Sequence, residues 1–109
     1  DAVRQDRELL LEVVAAFLEE CPELMGQIRG AIDRSDAGAL RLAAHRLKGS
    51  MRYFGATRAF DQAYILETLG RDGRLADAPA ATAQLDRLVS QLSPQLTAYL
   101  VANKTEQPA

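Results

Sequence analysis

Apolar residues recur every three or four positions along nearly the whole chain, and this spacing restricts the fold more than any other feature. Near the N-terminus they would form one face of a helix, made of Leu10, Val13, Val14, Phe17 and Leu18. This is the period of an amphipathic α-helix. No useful stretch alternates apolar and polar residues as a half-buried strand would. The sequence therefore predicts an all-α protein.

Capping and helix-breaking residues divide the first half of the pattern. Asp6 is a candidate cap for the first helix, and Cys21-Pro22 interrupts it so that Pro22 starts a second. Ser35-Asp36 provides a turn and a cap. A third helix is predicted over about 37–54, with Gly55 at its end. Its apolar stripe consists of Leu40, Ala43, Ala44, Leu47, Met51 and Phe54.

The second half of the chain contains two more predicted helices. The fourth spans 57–69, with an apolar spacing formed by Phe60, Ala63, Tyr64 and Leu66, and Gly70, Asp72 and Gly73 mark a loop after it. The fifth begins near residue 77 and contains Pro94, which should kink or split it.

Short connections between amphipathic helices favour antiparallel neighbours. We predict an up-down antiparallel four-helix bundle with an additional short N-terminal helix. It would form a single domain over residues 1–109, with frayed ends at 1–5 and 103–109.

Length and composition exclude several classes of protein. The chain has 109 residues, the size of one domain, and a formal charge of −2, which argues against nucleic-acid binding. With one cysteine and one histidine, an intrachain disulfide is impossible and a zinc site would need several carboxylates. No run approaches the ~18 apolar residues of a membrane span. We expect a cytoplasmic monomer with no metal or cofactor of its own and no membrane contact.

The position of the single histidine is the most informative detail of the third helix. Arg41, His45, Lys48 and Arg52 follow one another at spacings of four, three and four residues, which places them on one side of a helix. The apolar stripe lies on another side, so His45 should be at least partly exposed. Gly49 leaves space beside the imidazole, although a glycine inside a helix lowers helix stability by about 1 kcal/mol relative to alanine. Ala44 and Ser50 are also small, which predicts a sterically open site.

This arrangement suits a phosphoryl acceptor. Neutral imidazole has a free nitrogen lone pair that can attack phosphorus and form a phosphoramidate. Lys48 and the arginines could stabilise the added negative charge. No Ser-His-Asp arrangement and no nucleotide-binding loop is readable, so the chain would lack catalysis of its own. On spacing alone, however, a histidine beside lysine and arginine more often belongs to a solvated basic helix face, or to a weak docking surface for an acidic partner, than to a phosphorylation site.

The residues around His45 also match a family pattern. The run Ala44-His45-Arg46-Leu47-Lys48-Gly49-Ser50, followed by Gly55-Ala56, resembles the A-H-x-L-K-G-S…G-A signature of histidine-containing phosphotransfer (Hpt) domains. Leu66-Glu67 and Gly70-Arg71 resemble the L-E…G-R stretch of the neighbouring helix, and the segment 8–20 looks like the family's first helix. The likeness covers most of the chain, and the stretch from His45 to Gly55 is its specific part.

The resemblance implies a role for each residue. His45 would be the phosphorylated histidine, Lys48 would help hold the phosphoryl group, and Gly49 would leave room for the partner. Glu67 would either orient the imidazole by accepting its N–H or be an ordinary exposed carboxylate. The basic stripe and the small residues, and not the resemblance, lead us to expect that a partner docks on Arg41, Ala44 and Arg52.

The partners implied are response-regulator receiver domains, which supply Mg²⁺ and an aspartate, and a sensor kinase in the same polypeptide is another candidate. Arg52-Tyr53-Phe54 departs from the smaller residues usual before Gly55. Tyr53 and Phe54 fit core packing.

Two alternative functions stay open. The first is an Hpt domain of the chemotaxis-kinase type, phosphorylated by a kinase domain, although the L-K-G-S form looks more like the relay modules of hybrid kinases. The second is a receiver-docking module without phosphotransfer, against which the presence of both His45 and Lys48 argues. An enzyme using His45 as a base lacks partner groups in the sequence.

Overall fold

The computed structural model describes the backbone of residues 2–52 and 57–105 and the side chains of residues 7–52 and 58–103. Four α-helices make up almost all of these residues: α1 (Ala2–Asp33), α2 (Ala37–Met51), α3 (Thr57–Arg71) and α4 (Ala78–Thr105), with a short 3₁₀ helix at Leu75–Asp77. No strand occurs within them. The all-α prediction is confirmed.

Helix α1 is continuous through Pro22, so the predicted break at Cys21-Pro22 and the separate short N-terminal helix are wrong. Asp6 likewise lies inside α1 and does not begin it. A proline inside a helix costs about 3 kcal/mol. Pro22 itself is exposed, but buried residues continue at helical spacing on both sides of it, and each is worth about 1.5–3 kcal/mol. This continuous buried face outweighs the proline, and it consists of Val14, Phe17, Cys21, Leu24, Met25 and Ile28.

The connection from α1 to α2 follows the predicted turn and cap. Ser35 adopts the left-handed conformation, with φ 55°. The Asp36 N–H donates to the Ala31 carbonyl at 2.8 Å and the Ser35 N–H to the Ile32 carbonyl at 3.0 Å, which closes α1 with a Schellman motif. The Asp36 carboxylate then accepts the Ala39 N–H at 3.0 Å and caps α2.

Gly70 belongs to α3 and not to the loop predicted after it. The helix ends at Arg71, and Gly73, with φ +69°, supplies the left-handed residue of the turn. Gly70 is buried against α2, where an added Cβ would lie 2.6 Å from the Arg41 backbone nitrogen and 2.9 Å from the Ala37 carbonyl oxygen. The absence of a side chain at Gly70 therefore sets how closely α3 approaches α2.

Helix α4 continues past Pro94 to Thr105 and is not split there. It packs antiparallel to α1: Arg7 near the start of α1 donates to Asn103 near the end of α4, at 2.9 Å, whereas Arg29 near the end of α1 pairs with Asp86 in the first half of α4. No helix in the described parts of the chain is both long and apolar enough to cross a membrane.

A single apolar core joins the four helices. Cys21 belongs to it and is 2% exposed, and burial, with the nearby negative charge of Asp86, raises the pKa of its thiol to about 11. Cys21 is thus a protonated packing residue. Tyr53, Phe54 and Gly55, predicted to end the third helix, lie outside the described residues. The largest fully buried side chains are Val14, Phe17, Ile28, Leu40, Leu47, Met51, Leu66 and Leu85.

Candidate functional site

His45 lies in the middle of α2 on the side turned away from the core. Its side chain is 60% exposed, whereas Leu40 and Leu47 on the opposite side are completely buried. The predicted exposure of the histidine is therefore confirmed. Ala44, predicted to contact a partner, is completely buried within the core, because its position falls on the apolar stripe of α2. Ala44 is a packing residue and cannot form part of a docking surface.

A carboxylate from α3 joins two of the predicted site residues. Glu67 Oε1 lies 2.5 Å from Nδ1 of His45, and Glu67 Oε2 accepts a hydrogen bond from Nζ of Lys48 at 2.9 Å. The pairing arises because α2 and α3 run antiparallel, so that Glu67, one turn before Gly70, comes opposite His45, one turn after Arg41. Of the two alternatives for Glu67, the structure places it as a partner of the imidazole, with a side chain only 14% exposed.

The charge of Glu67 determines which imidazole nitrogen is free. Partial burial works to raise the pKa of Glu67, but hydrogen bonds from Lys48 and His45 and the positive charge of Lys48 outweigh it and hold the pKa below its ordinary value of 4.5. Glu67 is therefore ionised near neutral pH and only accepts hydrogen bonds. His45 Nδ1 then carries the ring proton and donates a hydrogen bond to Glu67. The lone pair is therefore on Nε2, the outer nitrogen of an exposed ring.

Lys48 does not extend into solvent as a member of a uniform basic stripe would. Its side chain is 16% exposed and turned towards α3, where Nζ lies 4.8 Å from the ring centroid of Tyr64 and 5.9 Å from that of Phe60. These distances are those of cation–π contacts. Sequence reasoning placed Tyr64 on an apolar stripe, but it is 48% exposed. The sequence feature that could have indicated a place for Tyr64 near the site is its position one turn before Glu67, on the same side of α3.

Gly49 opens onto a groove between α1 and α2. Apart from neighbouring residues of its own helix, no atom lies within 4 Å of a Cβ added there, so no packing contact within the described residues requires a glycine at this position. The groove has a volume of about 520 Å³ and is lined by Glu20, Glu23, Leu24, Gln27, Arg46, Gly49 and Ser50. Space at Gly49 is thus available to another molecule, at a cost of about 1 kcal/mol of helix stability.

The outer arginines remain at the surface. Arg41, on α2 before His45, and Arg52, which directly follows the last residue of α2, are both exposed. In the parts of the chain whose side chains are described, no group of three or more His, Cys, Asp or Glu residues could hold a metal ion. The functional groups of the site are the imidazole of His45, the carboxylate of Glu67 and the ammonium of Lys48, with exposed arginines nearby.

Two comparisons with known proteins give matches over most of this chain. The family model of the Hpt domain matches residues 12–95, which include all of the site. The fold is similar to the crystal structure of histidine-containing phosphotransfer protein B (HptB) from Pseudomonas aeruginosa PAO1, with a TM-score of 0.84 and 25% sequence identity over 93% of this chain and 90% of that one. No curated protein sequence gives a significant match to this chain.

Proposed function

Because this chain belongs to the Hpt domain family and is a phosphorelay intermediate of two-component signalling, we propose that His45 carries the phosphoryl group on Nε2. The observation that carries this assignment is the hydrogen bond from Nδ1 to Glu67, at 2.5 Å, on a side chain that is 60% exposed. It favours the tautomer with the lone pair on the accessible nitrogen.

The transfer is a displacement at phosphorus. The Nε2 lone pair of His45 attacks the phosphorus of an aspartyl phosphate on a receiver domain, and a nitrogen–phosphorus bond forms. The bond from phosphorus to the aspartyl oxygen breaks, and the carboxylate leaves with its electron pair. The proton on Nδ1 stays in the hydrogen bond to Glu67, whose negative charge offsets the positive charge that develops on the ring. The reverse step passes the group to a second receiver.

Lys48 and Gly49 support this step in different ways. The ammonium of Lys48 and the imidazole both bind the carboxylate of Glu67. Lys48 is therefore near enough to donate a hydrogen bond to a phosphoryl oxygen in place of Glu67, and to neutralise part of the phosphoryl charge. Gly49 leaves room for the receiver. The receiver brings Mg²⁺ and the aspartate, and the Hpt domain contributes a positioned nucleophile without autonomous catalysis.

Hpt domains interact with receiver domains and kinases. For this chain we extend the proposal to a cytoplasmic monomer whose four helices form an up-down antiparallel bundle. The antiparallel contacts of α1 with α4 and of α2 with α3 support that arrangement.

Intact mass spectrometry tests the central assignment. The domain is incubated with phosphoramidate, and His45→Gln is the matched control. We expect an acid-labile gain of one phosphoryl group that is absent from the variant, and transfer of that group to a receiver in the presence of Mg²⁺. If the wild-type domain gained no phosphoryl group from phosphoramidate or from phosphorylated receivers, the assignment would be wrong.

The docking role of the exposed arginines needs a separate experiment. Replacing both Arg41 and Arg52 by glutamate should slow transfer from a receiver about tenfold at low salt, because surface charges mainly change association rates. Phosphorylation by the small donor should keep its wild-type rate, since no docking is involved. Wild-type transfer rates from the receiver in this double variant would show that the two arginines do not contribute to docking.

A further inference from the structure

The proposed role of Lys48 requires its ammonium to stay beside His45 both before and after phosphorylation. In the structure, Glu67 holds the ammonium through a hydrogen bond of 2.9 Å. That hydrogen bond must weaken when a phosphoryl group competes for the same protons of Lys48. A flexible lysine side chain released in this way would lose much of its effect, because ordering four rotatable bonds costs entropy.

We infer that Tyr64 is a positioning residue for phosphotransfer, whose ring holds the Lys48 ammonium beside His45 while Lys48 exchanges Glu67 for the phosphoryl group. The inference rests on the proposed function of His45 and Lys48. Nζ lies 4.8 Å from the ring centroid, and a ring face attracts a cation without using its hydrogen-bond donors. The contact with the ring therefore leaves ammonium protons available to oxygen acceptors, whether these belong to Glu67 or to phosphate.

The surroundings of Tyr64 support this role over one in packing. Its side chain is 48% exposed and is not part of the core, whereas its neighbours on α3, Ala63 and Leu66, are completely buried. Phe60 also faces Lys48, but at 5.9 Å, and it is partly buried against the core. Tyr64 is therefore the nearer aromatic surface, and its ring can be removed with little loss of core contacts.

The experiment measures the rate of phosphorylation by phosphoramidate, a donor too small to depend on receiver docking. The variants are Tyr64→Leu, which removes the ring, and Tyr64→Phe, which retains it. Ile65→Ala is the matched control, since Ile65 is the adjacent residue of α3 and is 47% exposed. We expect Tyr64→Leu to be about threefold slower, the factor that corresponds to an exposed cation–π contact. Tyr64→Phe and Ile65→Ala should stay close to the wild-type rate.

A double-mutant cycle separates action through Lys48 from a structural effect. In a Lys48→Gln background, Tyr64→Leu should cause no further decrease, because the cation is already absent. A threefold decrease in that background, or an equal decrease in Tyr64→Phe, would overturn the inference. The ε-methylene protons of Lys48 give a second readout: their ring-current shift should persist after phosphorylation and decrease in Tyr64→Leu, where only the more distant Phe60 ring remains. Loss of that shift on phosphorylation of the wild type would also overturn it.

The outcomes for the wild-type domain distinguish failure of the proposed function from failure of the role of Tyr64. If the wild type is not phosphorylated by any donor, the proposed function itself fails. If the wild type is phosphorylated on His45 and Tyr64→Leu reacts at the same rate, only the role of Tyr64 fails, and the assignment of His45 stands.

Discussion

Replacing Gly70 by alanine should separate the two helices that form the site. A Cβ at this position would lie 2.6 Å from the backbone nitrogen of Arg41 and 2.9 Å from both its Cα and the Ala37 carbonyl oxygen. All three atoms belong to the backbone of α2, so no side-chain rotation can relieve the contact. Relief requires α3 to move by about 0.8 Å, the difference between 2.6 Å and the 3.4 Å of ordinary contact.

The expected change in stability combines two opposing effects. Overpacking of this kind costs about 1–3 kcal/mol, and the absence of a movable neighbour puts Gly70→Ala at the upper end of that range. Alanine in place of glycine within a helix returns about 1 kcal/mol. We therefore expect a net loss of about 2 kcal/mol in the free energy of unfolding, or a decrease of about 10 °C in Tm for a domain of this size. Glu67 lies one turn away, so phosphorylation of His45 should slow as well.

Urea denaturation followed by circular dichroism measures the loss, and Gly26→Ala is the control. Gly26 lies inside α1, and no atom is within 4 Å of a Cβ added there. The control should be stabilised by up to about 1 kcal/mol through helix propensity alone. If Gly70→Ala were as stable as the wild type, or gained stability like Gly26→Ala, then the close approach of α2 and α3 would not depend on this glycine, and the reasoning would be refuted.

Two further predictions concern α1 and the carboxylate of the site. Pro22→Ala should raise the free energy of unfolding by about 1–2 kcal/mol, because it restores a backbone hydrogen bond inside α1 at an exposed position; a lower urea midpoint would contradict this. The pKa of Glu67 is depressed in the folded state, so its stabilising contribution is complete above the ordinary value of 4.5 and is lost as the pH falls through the lower folded value. Glu67→Gln should therefore flatten the dependence of stability on pH in this acid range, and thermal unfolding curves between pH 2 and 6 that parallel the wild type would count against it.

Local signals in the sequence were sufficient for several features of the structure. Helical period and the absence of alternation predicted an all-α protein. Asp36 was predicted as a cap because its side chain can accept a nearby backbone N–H, which is a property of a few adjacent residues. The exposure of His45 followed from its angular distance from the apolar stripe, which is set within one helix.

Several features that depend on a second helix were predicted incorrectly or missed. Pro22 suggests a break when only its own helix propensity is considered, but burial of the apolar face against other helices keeps α1 continuous. Gly70 is typical of a loop in the sequence, but in the structure it is a helical residue packed against the backbone of α2. The contact of Tyr64 with Lys48 exists only because α3 lies beside α2; spacing within α3 places Tyr64 on the side of Glu67 but does not bring Lys48 there.

The helical class, the cap at Asp36 and the exposure of His45 therefore follow from the sequence, because each depends on the chemistry of neighbouring residues and on the period of one helix. Only the tertiary structure shows that Glu67 contacts both His45 and Lys48 and that Gly70 limits the distance between α2 and α3. These contacts form between helices, at a register set by the packing of the whole core, so no single segment of the sequence specifies them.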